Sequence, residues 1–519
     1  MGAHGEKRVV IIGAGPAGLT AAFELCKAGV EPVVLEKGDI VGGLAKTIKH
    51  NGFRFDIGGH RFYTKVKVVE DVWREVLDGR DFLRRKRLSR ILYNKRFFHY
   101  PLRASSMILG LGFLDGCRIL SSYIYARLFP EKKEENFEQW VTNRFGRRLY
   151  TVFFKTYTEK VWGIPCSEIT AEWAAQRIKG LSLPAVLKDI LLRQSNGQKG
   201  GVVKSLISEF DYPRLGPGMM WESMAELVKA KGGTIRTGAR VERIFWTPRG
   251  VEAVEISDGE RIETIHGTHF LSSMPARELV RKLSPSPPAE VLAAANKLQY
   301  RDFIIVALMI NRRSVFPDNW IYIHDPEVKL GRIQNFKNWS PNMVPDQNKT
   351  CLGLEYFCFA GDGLWTSSDE ELIALGKREL EILGLAGAGE VNEGKVVRVP
   401  KAYPVYDSAH QQALQTLRSF FGTLPNLQLV GRNGMHKYNN QDHSMLTAML
   451  AVKNIMGANH DLWKVNTEQE YQEEINNCVD EISLTRLPDQ SPGYLGSTQP
   501  AVPVRIQACA ATPVTQLEG

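Results

Sequence analysis

The 519-residue sequence lacks the features that mark several large protein classes. Its seven cysteines are scattered, odd in number and without a CxxC pair, which excludes a disulfide framework and favours reduced thiols in a cytoplasmic protein. No long apolar run is free enough of charge to predict a spanning helix, and the N-terminus is too short and polar for a signal peptide. Neither a repeat, a metal-ligand cluster nor the basic–aromatic alternation of nucleic-acid binders is found.

Positive charge is in moderate excess, with a net charge of +9. The densest basic stretch, residues 84–96, predicts a solvated face, and the alternatives are attraction of a phosphorylated substrate or of a membrane surface. Residues 104–129 form the most apolar later segment, but Asp115, Arg118 and Arg127 interrupt it. We therefore expect a buried or interfacial amphipathic helix there.

The strongest motif lies at the start of the chain, where an apolar strand, a glycine-rich turn and a helix follow in order. Gly13 permits a tight turn, Gly15 lets the backbone approach a pyrophosphate, and Gly18 lets helix and strand pack closely. The helix N-terminus attracts phosphate, and Glu36 is placed to accept hydrogen bonds from a ribose. The segment predicts a dinucleotide site made of Gly13, Gly15, Pro16, Ala17, Gly18, Glu36 and Lys37.

The remaining periodicity suggests two or three domains, as the chain length also does. Residues 66–210 look mainly helical, with a short hairpin around 91–100. Strand patterns then return at 234–272 and 303–356, and the tail beyond residue 487 is rich in Pro, Gly, Ser and Gln and is expected to be disordered.

Three further features join the first motif: the Gly42-Gly43 pair, the strand pattern at 234–244, and Gly431-Arg432 after a late strand. Together they resemble the glutathione-reductase-type FAD fold, in its amine-oxidase and UDP-galactopyranose-mutase branch. The resemblance implies an α/β fold with FAD as cofactor and a discontinuous FAD-binding Rossmann-like domain, a helical subdomain and a mixed-sheet substrate domain. The implied segments are FAD-binding at 1–65, 212–300 and 426–465, helical at 66–211, sheet-containing at 301–425, and a C-terminal helix and tail at 466–519.

The resemblance also assigns cofactor contacts outside the first motif. It places Val241 by the adenine and the late Gly-Arg strand near the isoalloxazine and pyrophosphate. The further cofactor residues that it implies are Gly42, Gly43, Leu44, Gly58, Gly59, His60, Val241, Gly431, Arg432, Asp442, Ser444 and Met445.

Residues 137–169 are similar to the substrate-domain helix and loop entrance of the UDP-galactopyranose mutase family, and Gly59-His60-Arg61-Phe62 resembles its flavin-side histidine motif. That likeness implies a redox-neutral pyranose–furanose interconversion that needs reduced flavin. It gives a catalytic role to His60, Arg177 and Arg301, the two arginines neutralising a diphosphate. The substrate contacts that it implies are Tyr157, Trp162, Tyr403, Tyr438 and Asn440.

Two departures keep other functions open. Asn440 stands where the mutases carry an aspartate, and residues 353–362 look more like the protoporphyrinogen-oxidase relatives. One alternative is an FAD oxidoreductase acting on an amine, a polyene or a porphyrinogen, and another is an FAD-binding scaffold at a membrane surface. Two of the implied site residues also have purely structural interpretations: Trp162 could pack in the core, and Arg177 could form a surface ion pair.

The expected partners follow from these hypotheses. The mutase hypothesis predicts a small-molecule substrate, a UDP-sugar. Because the only GxGxxG after a strand is the first, no resident nicotinamide domain is expected, and an external electron donor such as NAD(P)H would reduce the flavin. Peripheral membrane contact belongs to the scaffold hypothesis, and no motif specifies an oligomeric state.

Overall fold

The computed structural model describes residues 7–100, 102, 111–171, 207–407 and 409–466. All belong to the first of two units into which the chain divides, residues 1–475. Arg177 and the predicted disordered tail lie outside the described residues. Among the helices that the structure describes, none has the length and apolar character needed to cross a membrane.

Within the described residues, twenty strands alternate with helices. The strands are β1 Val9–Ile12, β2 Val33–Leu35, β3 Thr47–His50, β4 Phe53–Asp56, β5 Phe82–Lys86, β6 Ser89–Tyr93, β7 Arg96–His99, β8 Glu209–Pro213, β9 Thr234–Arg236, β10 Arg240–Thr247, β11 Gly250–Ser257, β12 Ile262–His266, β13 His269–Ser272, β14 Leu283–Ser284, β15 Tyr300–Ile310, β16 Trp320–Ile323, β17 Arg332–Asn335, β18 Thr350–Cys358, β19 Val391–Pro404 and β20 Leu427–Leu429.

The α-helices range from single turns to sixteen residues. They are α1 Pro16–Lys27, α2 Lys67–Val76, α3 Phe113–Leu128, α4 Phe137–Phe145, α5 Arg147–Leu149, α6 Thr156–Trp162, α7 Gly218–Ala230, α8 Ala276–Arg281, α9 Ala289–Lys297, α10 Phe336–Trp339, α11 Gly363–Thr366, α12 Asp369–Ile382, α13 His410–Phe421, α14 Gly431–Gly434 and α15 Gln441–Ile455. A π-helical turn, Tyr150–Lys155, leads into α6.

The first sheet is parallel and has the order β20-β13-β1-β2-β9. Its strands come from three distant parts of the sequence, which agrees with a discontinuous nucleotide-binding domain. All four residues of the central strand β1 are buried, as expected for a parallel strand covered on both faces. Helix α1 packs against α7 and α15, so the glycine-rich turn at the end of β1 is anchored in this layer.

The strand pattern at 234–244 divides into two strands that belong to different sheets. β9 pairs with β2 in the parallel sheet, whereas β10 joins a second sheet of order β12-β11-β10-β14. Val241 is buried in β10. The prediction of one returning strand is therefore wrong, because Gly238 takes a positive φ of 70° and turns the chain between the two strands.

A seven-stranded mixed sheet of order β19-β15-β18-β17-β16-β6-β7 forms the second main layer. Every residue of β15 is buried, and its side chains alternate between two faces. Ile304, Val306 and Leu308 pack into the core that includes α12 residues, whereas Phe303 and Ile305 face the core that includes β4. This second face is the one that borders the candidate site.

The segment predicted as mainly helical contains more strand than expected. The hairpin at 91–100 is present as β6 and β7, with Asn94 and Lys95 at positive φ in its turn, and it joins the large sheet. Strand β5, which pairs with β8, was missed because its basic residues suggested a solvated face. Arg85 instead binds the Asn338 carbonyl, and Arg87 lies over Trp320.

Helix α3 confirms an amphipathic helix in the apolar segment. Ile119 and Ala126 are buried against the neighbouring helices, whereas Leu114 and Leu128 are 74% and 68% exposed. Its exposed side carries these two leucines together with the polar residues Arg118, Ser121 and Arg127.

Candidate active site

The glycine-rich turn after β1 is built by backbone contacts that no side chain could replace. A Cβ on Gly18 would lie 1.8 Å from the carbonyl oxygen of Gly13, and Gly13 itself has a φ of 103°. On the other side of the turn, a Cβ on Gly43 would lie 3.0 Å from the Cα of Gly15. The two glycine pairs thus meet backbone to backbone at the N-terminus of α1.

The N-terminus of α1 has no side-chain cap. Gly15 is its N-cap and Pro16 its first residue, so the first-turn N–H groups keep their capacity to bind an anion. Glu36, at the end of β2, accepts hydrogen bonds from the N–H of Ala14 (2.8 Å) and of Gly38 (2.9 Å). Its carboxylate is therefore fixed beside the turn.

The late glycine–arginine segment packs directly onto this turn. A Cβ on Gly431 would lie 3.0 Å from the Cβ of Ala17, and the Gly431 N–H donates to Thr447 of α15. Ser444 and Met445 are buried in the same helix, and Met445 accepts a hydrogen bond from Trp73 through its sulfur atom. Three distant segments of the chain thereby converge on one site.

A cavity opens next to this convergence, between the parallel layer and the seven-stranded sheet. It brings together nine of the predicted site residues, namely Leu44, Gly58, Gly59, His60, Tyr403, Arg432, Tyr438, Asn440 and Asp442. The lining residues that the sequence did not single out are Ile57, Arg61, Tyr63, Phe303, Arg332, Ala402 and Gln441.

His60 lies half-buried in the cavity wall. Burial, together with the positive charges of Arg432 and Arg332, lowers its pKa to about 3, so the imidazole is neutral at physiological pH. Its Nε2 atom is buried and has no hydrogen-bond partner among the described residues. A buried polar atom of this kind points to a missing ligand group.

An aromatic pair and a cation form the opposite wall. The rings of Tyr403 and Tyr438 stack with centroids 5.8 Å apart, and the Arg432 guanidinium lies 4.7 Å from the Tyr438 ring centroid. Arg432 also donates to the carbonyl of Asn439 (2.9 Å). Burial raises the pKa of Tyr403 to about 12, so its hydroxyl keeps its proton at neutral pH.

Arg332 provides a second cation and is held by a buried carboxylate. On adjacent strands it faces Glu355, and its Nε donates to a Glu355 oxygen at 2.7 Å. The side-chain amide of Gln334 donates to the other oxygen at 2.9 Å, and Glu355 is fully buried. The hydrogen bond to Glu355 thus fixes the orientation of the Arg332 guanidinium, as expected of a group that positions an anion.

A sequence signal for Arg332 does exist. Strand β18 is buried over its whole length and otherwise mainly apolar, and Glu355 is the one charged residue within it. A carboxylate in such a strand requires a buried cation, and the alternation Arg332-Ile333-Gln334 supplies it on a neighbouring strand.

Arg301 does not line the cavity. Its guanidinium donates to the carbonyls of Val161 (3.1 Å), Lys160 (3.2 Å) and Phe357 (2.9 Å), and it lies against the Phe359 ring. In this conformation its donors tie the end of α6 to β18, which leaves Arg332 as the sheet cation that faces the cavity.

Helix α6 carries the other two predicted substrate residues. Trp162 is buried in the core around Phe153 and is not part of the cavity lining, so the packing alternative describes its position. The Tyr157 ring stacks on His324 with centroids 4.9 Å apart. Burial raises the pKa of Tyr157 well above its ordinary value, and the nearby Arg332 opposes that effect.

The part of the chain that the structure describes contains no group of three or more His, Cys, Asp or Glu residues able to hold a metal ion. His443 and Asp442 approach only to 3.9 Å.

Comparison with known proteins decides the family. Residues 11–76 match an NAD(P)-binding Rossmann-like domain, and residues 125–447 match the flavin-containing amine oxidoreductases. The chain belongs to the flavin-containing amine oxidoreductase family. The cofactor of this family member is FAD, and the uncapped helix, the glycine-only turn and the unpartnered His60 nitrogen fit that group.

Solved structures share the fold, and curated relatives share a short stretch of sequence. The fold is similar to that of a reduced UDP-galactopyranose mutase (TM-score 0.76, 22% identity, 89% of this chain and 98% of that one). It is also similar to a putative protoporphyrinogen oxidase from Exiguobacterium sp. 255-15 (TM-score 0.62, 17% identity, 86% and 98%). An L-amino-acid oxidase from Sistrurus catenatus edwardsii is 32% identical over 112 residues, which are 19% of this chain and 22% of that relative. The chain therefore matches about a fifth of that relative's length.

Proposed function

We propose that this flavin-dependent enzyme interconverts the pyranose and furanose forms of a nucleoside-diphosphate sugar. The observation that carries the proposal is the charge of the cavity. Its lining contains Arg61, Arg332 and Arg432 but only one carboxylate, that of Asp442. A cationic cavity of this kind suits a diphosphate and opposes a protonated amine.

The fold likeness supports the same substrate class. A reduced UDP-galactopyranose mutase is covered over 98% of its length by this chain. At 22% identity that likeness concerns the fold alone, so the substrate assignment depends on the cavity residues themselves.

The protein's contribution to such a reaction is positional and electrostatic. Bound reduced FAD supplies nucleophilic displacement at the anomeric carbon, a redox-neutral step. Arg332, oriented by Glu355, would neutralise the diphosphate as it leaves the sugar. Protonated Tyr403 would donate a hydrogen bond to a phosphate oxygen, and neutral His60 would offer one polar nitrogen without adding a further cation.

A second candidate is oxidation of a carboxylate-bearing amine such as an amino acid. The similarity to L-amino-acid oxidases favours it, and a substrate carboxylate would also pair with an arginine. Asn440 adds to this case, because the position at the cavity edge carries no negative charge that would assist a sugar hydroxyl.

The two candidates are separated by a titration with UDP that follows flavin fluorescence. We expect UDP to perturb the flavin signal with a dissociation constant below about 1 mM, uridine to leave it unchanged, and UMP to bind more weakly because it lacks one phosphate. Dithionite-reduced enzyme should then convert UDP-galactopyranose to the furanose form, and oxidised enzyme should not.

An arginine outside the cavity provides the control for substitutions of the cavity arginines. Arg249 is an exposed arginine at a strand turn outside the cavity, and Arg249→Ala should bind UDP as the wild type does. No UDP response at about 1 mM, combined with oxygen consumption on an L-amino acid, would contradict the mutase proposal and support the second candidate.

A further inference from the structure

The connection between β16 and β17 leads directly to the cavity arginine. It runs from His324 to Gly331, and Arg332 is the first residue of β17. The position of Arg332 in the cavity therefore depends on how this connection is held, because a short connection transmits its displacement to the first residue of the strand.

Lys160 of α6 holds the connection through its carbonyl groups. The Nζ atom donates to the carbonyl oxygens of Asp325 (2.6 Å), Leu330 (3.1 Å) and Ile323 (3.4 Å). Three carbonyls use all three donors of an ammonium group. Burial lowers the pKa of Lys160 to about 8, with Glu379 and Asp325 acting in the opposite direction.

Glu379 of α12 holds the same connection through its amide groups. Its carboxylate accepts hydrogen bonds from the N–H of Lys329 (2.7 Å) and of Leu330 (3.2 Å). Leu330 is thus bound on both sides, at its N–H by an anion and at its carbonyl by a cation. Such opposed charges fix a backbone segment more firmly than either contact alone.

The same face of α6 carries the predicted substrate residue Tyr157. Residues three apart on a helix lie on one face, so Tyr157 and Lys160 approach the sheet together. Between them His324, within the connection, stacks on the Tyr157 ring at an interplanar angle of 6°. Helix α6 and the connection therefore form one packed unit.

We propose that Lys160 is a positioning residue that fixes the β16–β17 connection and thereby holds Arg332 in the orientation that binds an anionic substrate group. The inference depends on the proposed function for the identity of that group, a diphosphate. Arg332 would contact the substrate, and Lys160 would act only through it.

The test compares lysines that make the same kind of contact. Lys337 also donates to three backbone carbonyls, those of Arg313, Gln347 and Lys349, but it is not part of the cavity lining. Lys160→Met should raise the UDP dissociation constant roughly tenfold, equivalent to about 1.4 kcal/mol, while FAD remains bound. Lys337→Met should leave that constant unchanged.

A double substitution distinguishes positioning from general destabilisation. If Lys160 acts through Arg332, adding Lys160→Met to Arg332→Gln should weaken UDP binding no further, since the group that Lys160 positions is already gone. Lys160→Gln, which keeps two of the three N–H donors but no charge, should give an intermediate constant and serves if Lys160→Met does not fold. Wild-type UDP affinity in Lys160→Met, or full additivity with Arg332→Gln, would overturn the inference.

A structural readout keeps the inference separate from the proposed function. Crystal structures of the wild type and Lys160→Met should differ at residues 324–331 and at the Arg332 guanidinium. If the wild type does not bind UDP, the proposed function fails, and an unchanged connection in the variant crystal would independently overturn the positioning role.

Discussion

The glycine-rich turn and the cavity lie side by side, but the turn is built mainly from backbone and the cavity mainly from side chains. The turn consists of backbone: a methyl group on Gly18 would collide with the carbonyl oxygen of Gly13, and Gly13 itself has a positive φ. The cavity consists of side chains, among them Arg332 and Tyr403, that come from strands separated by long stretches of sequence.

The difference explains why the two regions tolerate change differently. A backbone site depends on conformations that few residue types other than glycine can adopt, so we expect it to tolerate few substitutions. A side-chain site can exchange its residues without altering the strands that carry them. We therefore expect the turn to determine the cofactor and the cavity to determine the substrate.

The largest expected effect is on the turn. Gly18→Ala places a Cβ 1.8 Å from the Gly13 carbonyl oxygen, a contact that only a backbone shift can relieve. We expect the purified variant to lack FAD and to unfold at a lower temperature, measured by flavin absorbance and by thermal denaturation. Gly363→Ala, where a new Cβ meets nothing within 4 Å, is the control. A yellow Gly18→Ala protein of wild-type stability would show that the turn is not the cofactor site.

A smaller and more selective effect is expected in the cavity. Arg332→Lys keeps the charge beside Glu355 but removes the planar fork that binds two oxygens at once. The UDP dissociation constant should rise by about 10- to 100-fold, while FAD content stays at the wild-type level. Arg249→Lys, at the exposed control position, should match the wild type in the same titration. Loss of FAD from Arg332→Lys would mean that the two regions are not separable.

The smallest expected effect concerns Asp56, the last residue of β4. Asp56 is buried and accepts hydrogen bonds from Thr47 and Tyr212, and burial raises its pKa to about 7. Because the unfolded carboxyl has a pKa near 4, the folded state binds the proton more tightly. This group therefore opposes folding increasingly as the pH rises from about 4 to about 7.

Asp56→Asn removes that titration. The difference in melting temperature between variant and wild type should shift in favour of the variant by several degrees between pH 5 and pH 8, as measured by differential scanning calorimetry. Comparing the two proteins cancels the opposite contribution of buried neutral histidines such as His60. A difference that is constant with pH would contradict the raised pKa of Asp56.

The sequence was a good guide wherever function depends on neighbours along the chain. The strand, glycines and Glu36 of the first motif lie within about thirty residues and form the turn as predicted. The resemblance to the mutases implied substrate contacts for both Tyr403 and Tyr438, and the structure stacks their rings. Arg301 was predicted from the resemblance to the mutases, whereas the pairing of Arg332 with Glu355 follows from the register of two strands.

By itself, then, the sequence determined the glycine-rich turn after β1. The positive φ of Gly13 and the close contact between Gly13 and Gly18 are local properties of the chain. The tertiary structure decided which of the two arginines, Arg301 or Arg332, lines the cavity. Register between β17 and β18 sets Arg332 opposite Glu355, and the contacts of α6 with β18 draw Arg301 away from the cavity. Neither relation is local, since each depends on segments that meet only when the sheet has formed.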